Sequence, residues 1–203
     1  MKLKFCGLTR PADIDAANQA HPDYIGFVFA PSRRRVSDVQ ADQLRARLHP
    51  SIRAVGVFVN DRIEHIASLV ENGVIDAVQL HGGEDAEYIR ELRRQTSAAV
   101  IRAVRVSSRE DVEHAQHLPV QYLLFDTFSE QAQGGTGQVF DWSMLEGAEK
   151  PFFLAGGIDE SNIPRALETG AFALDLSSGI ETNGVKDAEK MRRIAQMVRS
   201  YAK

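Results

Sequence analysis

A single cysteine, Cys6, in 203 residues excludes an internal disulfide and a cysteine-rich metal centre, so whatever Cys6 does, it does as a thiol. The six histidines (21, 49, 65, 81, 114 and 117) show no His-x-x-x-His ligand spacing, and no metal is expected. Neither sign of charge dominates: 24 Lys and Arg against 28 Asp and Glu leave a net charge of −4. No global field draws such a chain to nucleic acid, so any anion site must be local. Apolar runs stay far short of the ~18 residues a membrane span needs. No apolar leader core follows the opening Met1-Lys2-Leu3-Lys4-Phe5, so no membrane association and a cytoplasmic location are expected. The glycine fingerprint G-x-G-x-x-G is missing after the first candidate strand, which runs into Cys6-Gly7-Leu8-Thr9 and argues against a dinucleotide fold.

What fills the chain is a regular alternation of short apolar runs with longer amphipathic stretches, the pattern of parallel strands joined by crossover helices. Eight strands are predicted, at 2–6, 24–29, 53–59, 77–80, 100–106, 122–125, 152–155 and 173–176. Ile63, Ile66, Ala67 and Val70 keep the i, i+3, i+4, i+7 spacing of a one-faced helix, as do Met191, Ile194, Ala195 and Val198. Ser37-Asp38-Val39-Gln40 and Ser107-Ser108-Arg109-Glu110 read as capping boxes, and Pro11 sits in a first turn behind Thr9. No linker interrupts the series. Eight strand–helix units in this length predict an α/β fold, a single (β/α)₈ barrel forming one catalytic domain over 1–203, with an open doubly wound sheet as the alternative.

Barrel enzymes gather their working groups where the strands end. Here those positions carry Cys6-Gly7, Arg33-Arg34-Arg35, His81-Gly82-Gly83, Asp126, Gly156-Gly157 and Ser177-Ser178-Gly179. Glycine-rich turns after the seventh and eighth strands are where barrels bind phosphate through backbone N–H groups, which points to a phosphorylated small-molecule substrate. Each residue also has a plain structural reading. Cys6 is a buried small hydrophobe or a base, and as a base it needs positive charge nearby, which Lys4 on the same strand face supplies. Asp126 is a loop cap or an acid–base group; as an acid it must keep a proton near neutrality, against a reference pKa of about 3.9. The arginine run is a solvated basic loop or a carboxylate clamp. His81 is a surface or pocket residue, and Asp175 a buried hydrogen-bonding or pocket carboxylate.

Taken in order, the strand-end segments resemble those of the phosphoribosylanthranilate isomerase family from Lys4 to about Glu181. They are Lys4-Phe5-Cys6-Gly7-Leu8-Thr9, Ser32-Arg33-Arg34, Val78-Gln79-Leu80-His81-Gly82, Leu124-Phe125-Asp126, Gly134-Gly135-Thr136-Gly137, Ala155-Gly156-Gly157 and Asp175-Leu176-Ser177-Ser178-Gly179-Ile180-Glu181. The resemblance implies an Amadori rearrangement of N-(5-phosphoribosyl)anthranilate in tryptophan biosynthesis, without metal or organic cofactor. By motif it makes Cys6 the base and Asp126 the acid. It puts Arg34 on the anthranilate carboxylate, His81 and Asp175 in the pocket, and Gly156, Gly157, Ser178 and Gly179 around the phosphate. Another cofactor-free sugar-phosphate isomerase or epimerase on the same barrel is the rival, and a non-catalytic sugar-phosphate sensor the distant one. Phe5 stands where the family more often has Ile, and Gln138 where Lys is frequent. The stretch 127–139, rich in Gly and Gln, reads as a lid. The helices' apolar outer faces leave monomer and homodimer both open.

Overall fold

The computed structural model describes residues 1–127 and 141–201. Its strands are β1 (Lys2–Cys6), β2 (Tyr24–Val28), β3 (Arg53–Phe58), β4 (Ala77–Leu80), β5 (Ala99–Val106), β6 (Tyr122–Thr127), β7 (Phe152–Leu154) and β8 (Ala173–Leu176). They pair in sequence order, all parallel, and β8 returns to β1, closing the barrel and excluding the open sheet. Each expected strand is present within two residues of its predicted ends. Around the barrel lie α1 (Pro11–Ala20), α2 (Asp38–Arg45), α3 (Ile63–Glu71), α4 (Ala86–Gln95), α5 (Arg109–Ala115), α6 (Ile163–Leu167) and α7 (Ala188–Tyr201). The expected eight strand–helix units need one correction. Between β6 and β7 the described residues hold only a 3₁₀ turn, Trp142–Leu145, so seven α-helices accompany eight strands there. The proposed lid at 127–139 lies outside the described residues apart from Thr127, as do Gly134-Gly135-Thr136-Gly137 and Gln138. A short hairpin, β9 (Glu181–Thr182) with β10 (Val185–Lys186), follows β8.

Strand alternation explains both layers of the core. Side chains of one parity point out to the helices: Leu3 and Phe5, Ile25 and Phe27, Val78 and Leu80, Leu123 and Phe125, Leu174 and Leu176. The other parity points into the barrel, where Tyr24, Val55, Ala77, Ile101, Leu124, Phe153 and Ala173 form a second apolar cluster. Moving two residues along the same strands replaces apolar by polar: Gln79 after Ala77, Asp126 after Leu124, Asp175 after Ala173. Period two thus carries each strand from packed floor to working mouth without changing face.

Helix signals hold with local shifts. Met191, Ile194, Ala195 and Val198 form the buried stripe of α7 as expected. In α3 the fully buried residues are Ile66 and Leu69, with Ile63 and Val70 packed beside them, so Leu69 takes the place expected of Ala67. Ser37 caps α2 by accepting from the Gln40 N–H, but the Gln40 side chain donates to the Thr9 carbonyl at 2.7 Å and ties α2 to the loop after β1. The box at α5 forms one residue later than expected, between Ser108 and Asp111, because the Asp111 carboxylate also accepts from the backbone N–H and hydroxyl of Ser107. Pro11 opens α1, and Asp13 reaches back to accept from the N–H groups of Thr9 and Arg10, both at 2.9 Å.

Candidate active site

At the C-terminal ends of the strands a cavity of ≈ 430 Å³ is lined by Cys6, Arg34, His81, Asp126 and Asp175, with Gly156, Gly157 and Ser178 on its rim. Eight of the nine expected site residues therefore converge. The ninth, Gly179, is not among the lining residues. A β-carbon there would run into the Ile158 carbonyl, so glycine lets the turn after β8 lie directly on the loop after β7. Gly156 and Gly157 adopt φ of 84° and 66°, the left-handed region that glycine enters without strain. A larger cleft of ≈ 700 Å³ adjoins across His81, bordered by Asn60, Arg102 and His114; it touches neither Cys6, Asp126 nor the glycine turns after β7 and β8.

Beneath the cavity lies a buried ion pair. Lys4 Nζ donates to Asp175 Oδ2 at 2.8 Å and to Gln79 Oε1 at 2.9 Å, and the lysine is 0% exposed. Lys4 and Asp175 are register partners on β1 and β8, so barrel closure itself sets the pair. Burial works against the ammonium, but Asp175 and Cys6 outweigh it and hold Lys4 firmly protonated, above its ordinary value. Burial likewise pushes the Cys6 thiol up. Lys4 pulls the other way through charge and hydrogen bonding without cancelling that push, and Asp175 adds to it. Asp175 Oδ1 is buried and has no hydrogen-bond partner among the described residues. An orphaned carboxylate oxygen on the wall of a polar cavity is a seat for a ligand hydroxyl.

Room for the thiol comes from β2. A β-carbon on Gly26 would lie 2.7 Å from Cys6 Sγ, so only glycine at that register position leaves the sulfur its place. Gly7, with φ of 77°, performs the same service for Arg34, whose side chain passes over it. Sequence reading assigned no role to Gly26. Strand pairing of β1 with β2 is the information that was missing.

Arg34 does clamp a carboxylate, and it is the protein's own. Its Nε and Nη2 donate to the two oxygens of Glu181 at 2.7 and 2.9 Å, leaving Nη1 for a ligand. Arg33 adds a bond at 2.9 Å and Lys186 another at 2.8 Å. Burial alone raises the Glu181 carboxyl, yet hydrogen bonds from Arg34 and Lys186 bring it down to about 2. Lys186 also donates to the Ser177 carbonyl at 2.8 Å, linking the hairpin to the end of β8. Glu181 and Lys186 received no role from the sequence. Their signal is tertiary, because Arg34 lies 147 positions away from its partner.

On the far wall Gln79 Nε2 and His81 Nδ1 are 3.1 Å apart, and His81 Nε2 lies 3.5 Å from Asp126 Oδ2. Among the described residues no group of three or more His, Cys, Asp or Glu side chains is placed to hold a metal ion.

Comparison with known proteins agrees with this geometry. A family model described as N-(5'phosphoribosyl)anthranilate (PRA) isomerase matches residues 3–197. An N-(5'-phosphoribosyl)anthranilate isomerase of Endomicrobium trichonymphae is 44% identical over 200 residues, covering 98% of both chains. The phosphoribosyl anthranilate isomerase structure from Thermotoga maritima superposes with a TM-score of 0.89 at 33% identity, covering 98% of this chain and 99% of that one. A phosphoribosyl anthranilate isomerase in complex with reduced 1-(o-carboxyphenylamino)-1-deoxyribulose 5-phosphate superposes with a TM-score of 0.85 at 32% identity, covering 98% and 99%.

Proposed function

The chain belongs to the N-(5'-phosphoribosyl)anthranilate isomerase family, and from that premise we propose how its own residues carry out the reaction. It is an aldose–ketose isomerase of tryptophan biosynthesis, converting phosphoribosylanthranilate to 1-(2-carboxyphenylamino)-1-deoxyribulose 5-phosphate by an Amadori rearrangement. The observation that carries the assignment of roles is that Cys6 and Asp126, on β1 and β6, line one cavity with the glycine turns of β7 and β8.

Asp126 gives a proton to the ribose ring oxygen. The bond from that oxygen to C1 breaks, and the anilino nitrogen's lone pair forms the C1=N iminium. The Cys6 thiolate then removes the proton on C2, whose electrons move to form the enol-amine, and tautomerisation yields the amino ketone. Lys4, fixed beneath the sulfur by Asp175, favours the thiolate. Asp175 Oδ1 accepts from a ribose hydroxyl. Arg34, oriented by Glu181, presents Nη1 to the anthranilate carboxylate, and His81 sits beside the acid. Gly156, Gly157 and Ser178 hold the phosphate, with Gly179 keeping the two turns in contact.

No metal or organic cofactor enters this scheme. Residues 1–203 act as one catalytic domain, a reading supported by strands from Lys2 to Leu176 all belonging to one barrel. No helix among the described residues is long and apolar enough to cross a membrane. A cytoplasmic location and a monomer or homodimer, with no nucleic-acid partner, fit a small anionic substrate and a net charge of −4.

The test follows phosphoribosylanthranilate, generated in place, in chelator-treated buffer. Wild type turns over. Cys6→Ser and Asp126→Asn lose at least about a hundredfold in kcat, while Arg34→Ala raises KM with kcat comparatively spared. Full activity in folded Cys6→Ser removes the thiol from the mechanism.

A further inference from the structure

Gln79 is 2% exposed, at an inward position of β4, between the ion pair under Cys6 and the histidine beside Asp126. Its orientation is decided by Lys4. An ammonium only donates, so the oxygen facing Lys4 Nζ at 2.9 Å is Oε1, and the amide NH₂ must face His81. An NH₂ group only donates as well, so at 3.1 Å His81 Nδ1 has to be the acceptor and carry no proton. The ring's proton is then on Nε2, the nitrogen 3.5 Å from Asp126 Oδ2, longer than a formed hydrogen bond and close enough for substrate to tighten into one.

Resting on the isomerase reading above, we propose that Gln79 is a positioning residue which locks His81 as the neutral Nε2–H tautomer, so that Asp126, the acid of that scheme, faces a neutral donor rather than a cation. An imidazolium would need a second proton on Nδ1, pointing at the amide NH₂, so Gln79 opposes it. A cation beside Asp126 would favour the carboxylate and strip the acid of the proton it has to deliver.

The other charged groups round His81 do not replace this control. Lys4 and Asp175, from β1 and β8, pair with one another beneath Gln79. Cys6 lines the cavity from β1. From β5, Arg102 is held by the Leu80 and Gly82 carbonyls and by Glu84. Arg105, Asp111 and His114 line the adjoining cleft, which His81 also borders.

Long-range ¹H–¹⁵N spectra of the substrate-free imidazoles, assigned with His81→Asn, read the ring directly, and kcat is measured against pH in parallel. Wild type shows an unprotonated Nδ1 in the neutral ring. Gln79→Glu keeps an acceptor for Lys4 but offers one to Nδ1 as well. It raises the His81 midpoint by about one pH unit or more and lowers kcat about a hundredfold. Gln79→Met loses the single tautomer and about tenfold in kcat with KM little changed; if it fails to fold, Gln79→Glu decides alone. A proton on Nδ1 in wild type, or a His81 midpoint unmoved in Gln79→Glu, overturns the proposal even with turnover intact. Absence of wild-type turnover beside the expected ring spectra overturns the assigned roles instead.

Discussion

Cys6 and its neighbours set a conflict that chemistry resolves only in a minority of molecules. The base has to be ionised, while burial pushes its thiol up and Lys4 offsets only part of that. Thiolate therefore grows about tenfold per pH unit across neutrality and beyond. Alkylation of Cys6, the sole cysteine, by iodoacetamide should still be accelerating at about pH 8.5; a plateau well below that would show the lysine dominating burial. At this scale the sequence was informative wherever chemistry is concentrated in one side chain. Cys6, Asp126, Arg34 and the glycine pairs stand out because thiols, carboxylates and Gly-Gly turns at strand ends are unusual for packing alone. Gln79 does not, since an amide inside an apolar strand becomes meaningful only when strand parity points it at Lys4.

Among the elements, the hairpin β9–β10 contributes more than its length suggests, because it brings Glu181 and Lys186 against the arginines after β2. A carboxyl held at about 2 in the fold against 4.5 unfolded stabilises the protein fully above pH ~4.5 and loses that contribution as pH falls toward about 2. Lys186, whose burial lowers it despite the partner, offsets part of the gain. Glu181→Gln should cost on the order of 2 kcal/mol at pH 7, with the gap to wild type closing near pH 2, as urea melts at both pH values will show. KM rises too, as Arg34 loses its brace; an unchanged KM would separate the brace from substrate binding. Strand boundaries were legible to within two residues because period two is a property of local sequence. The hairpin was not, being four residues assigned to strands whose purpose is a contact made across the barrel mouth.

For the whole molecule, closure between β1 and β8 is both topology and electrostatics. The Lys4–Asp175 pair bridges the seam, and removing one partner leaves a buried charge uncompensated, at about 3–5 kcal/mol. Lys4→Met should lower Tm by on the order of 10 °C, and Lys4→Met with Asp175→Leu should recover most of that loss; calorimetry on the three proteins checks the cycle. An equal loss in the double variant would place the cost in packing rather than charge. Barrel closure was legible from eight alternating units, since a regular βα series has few ways to bury both sheet faces. Which residues would meet at the seam was not, because register between the first and last strands is settled only when the ring shuts. The base owes its proton-accepting form to a lysine fastened by the final strand. A chain caught before that strand docks lacks Asp175 and leaves Lys4 unfastened beside the thiol, so turnover counts only the barrels whose two ends have found each other.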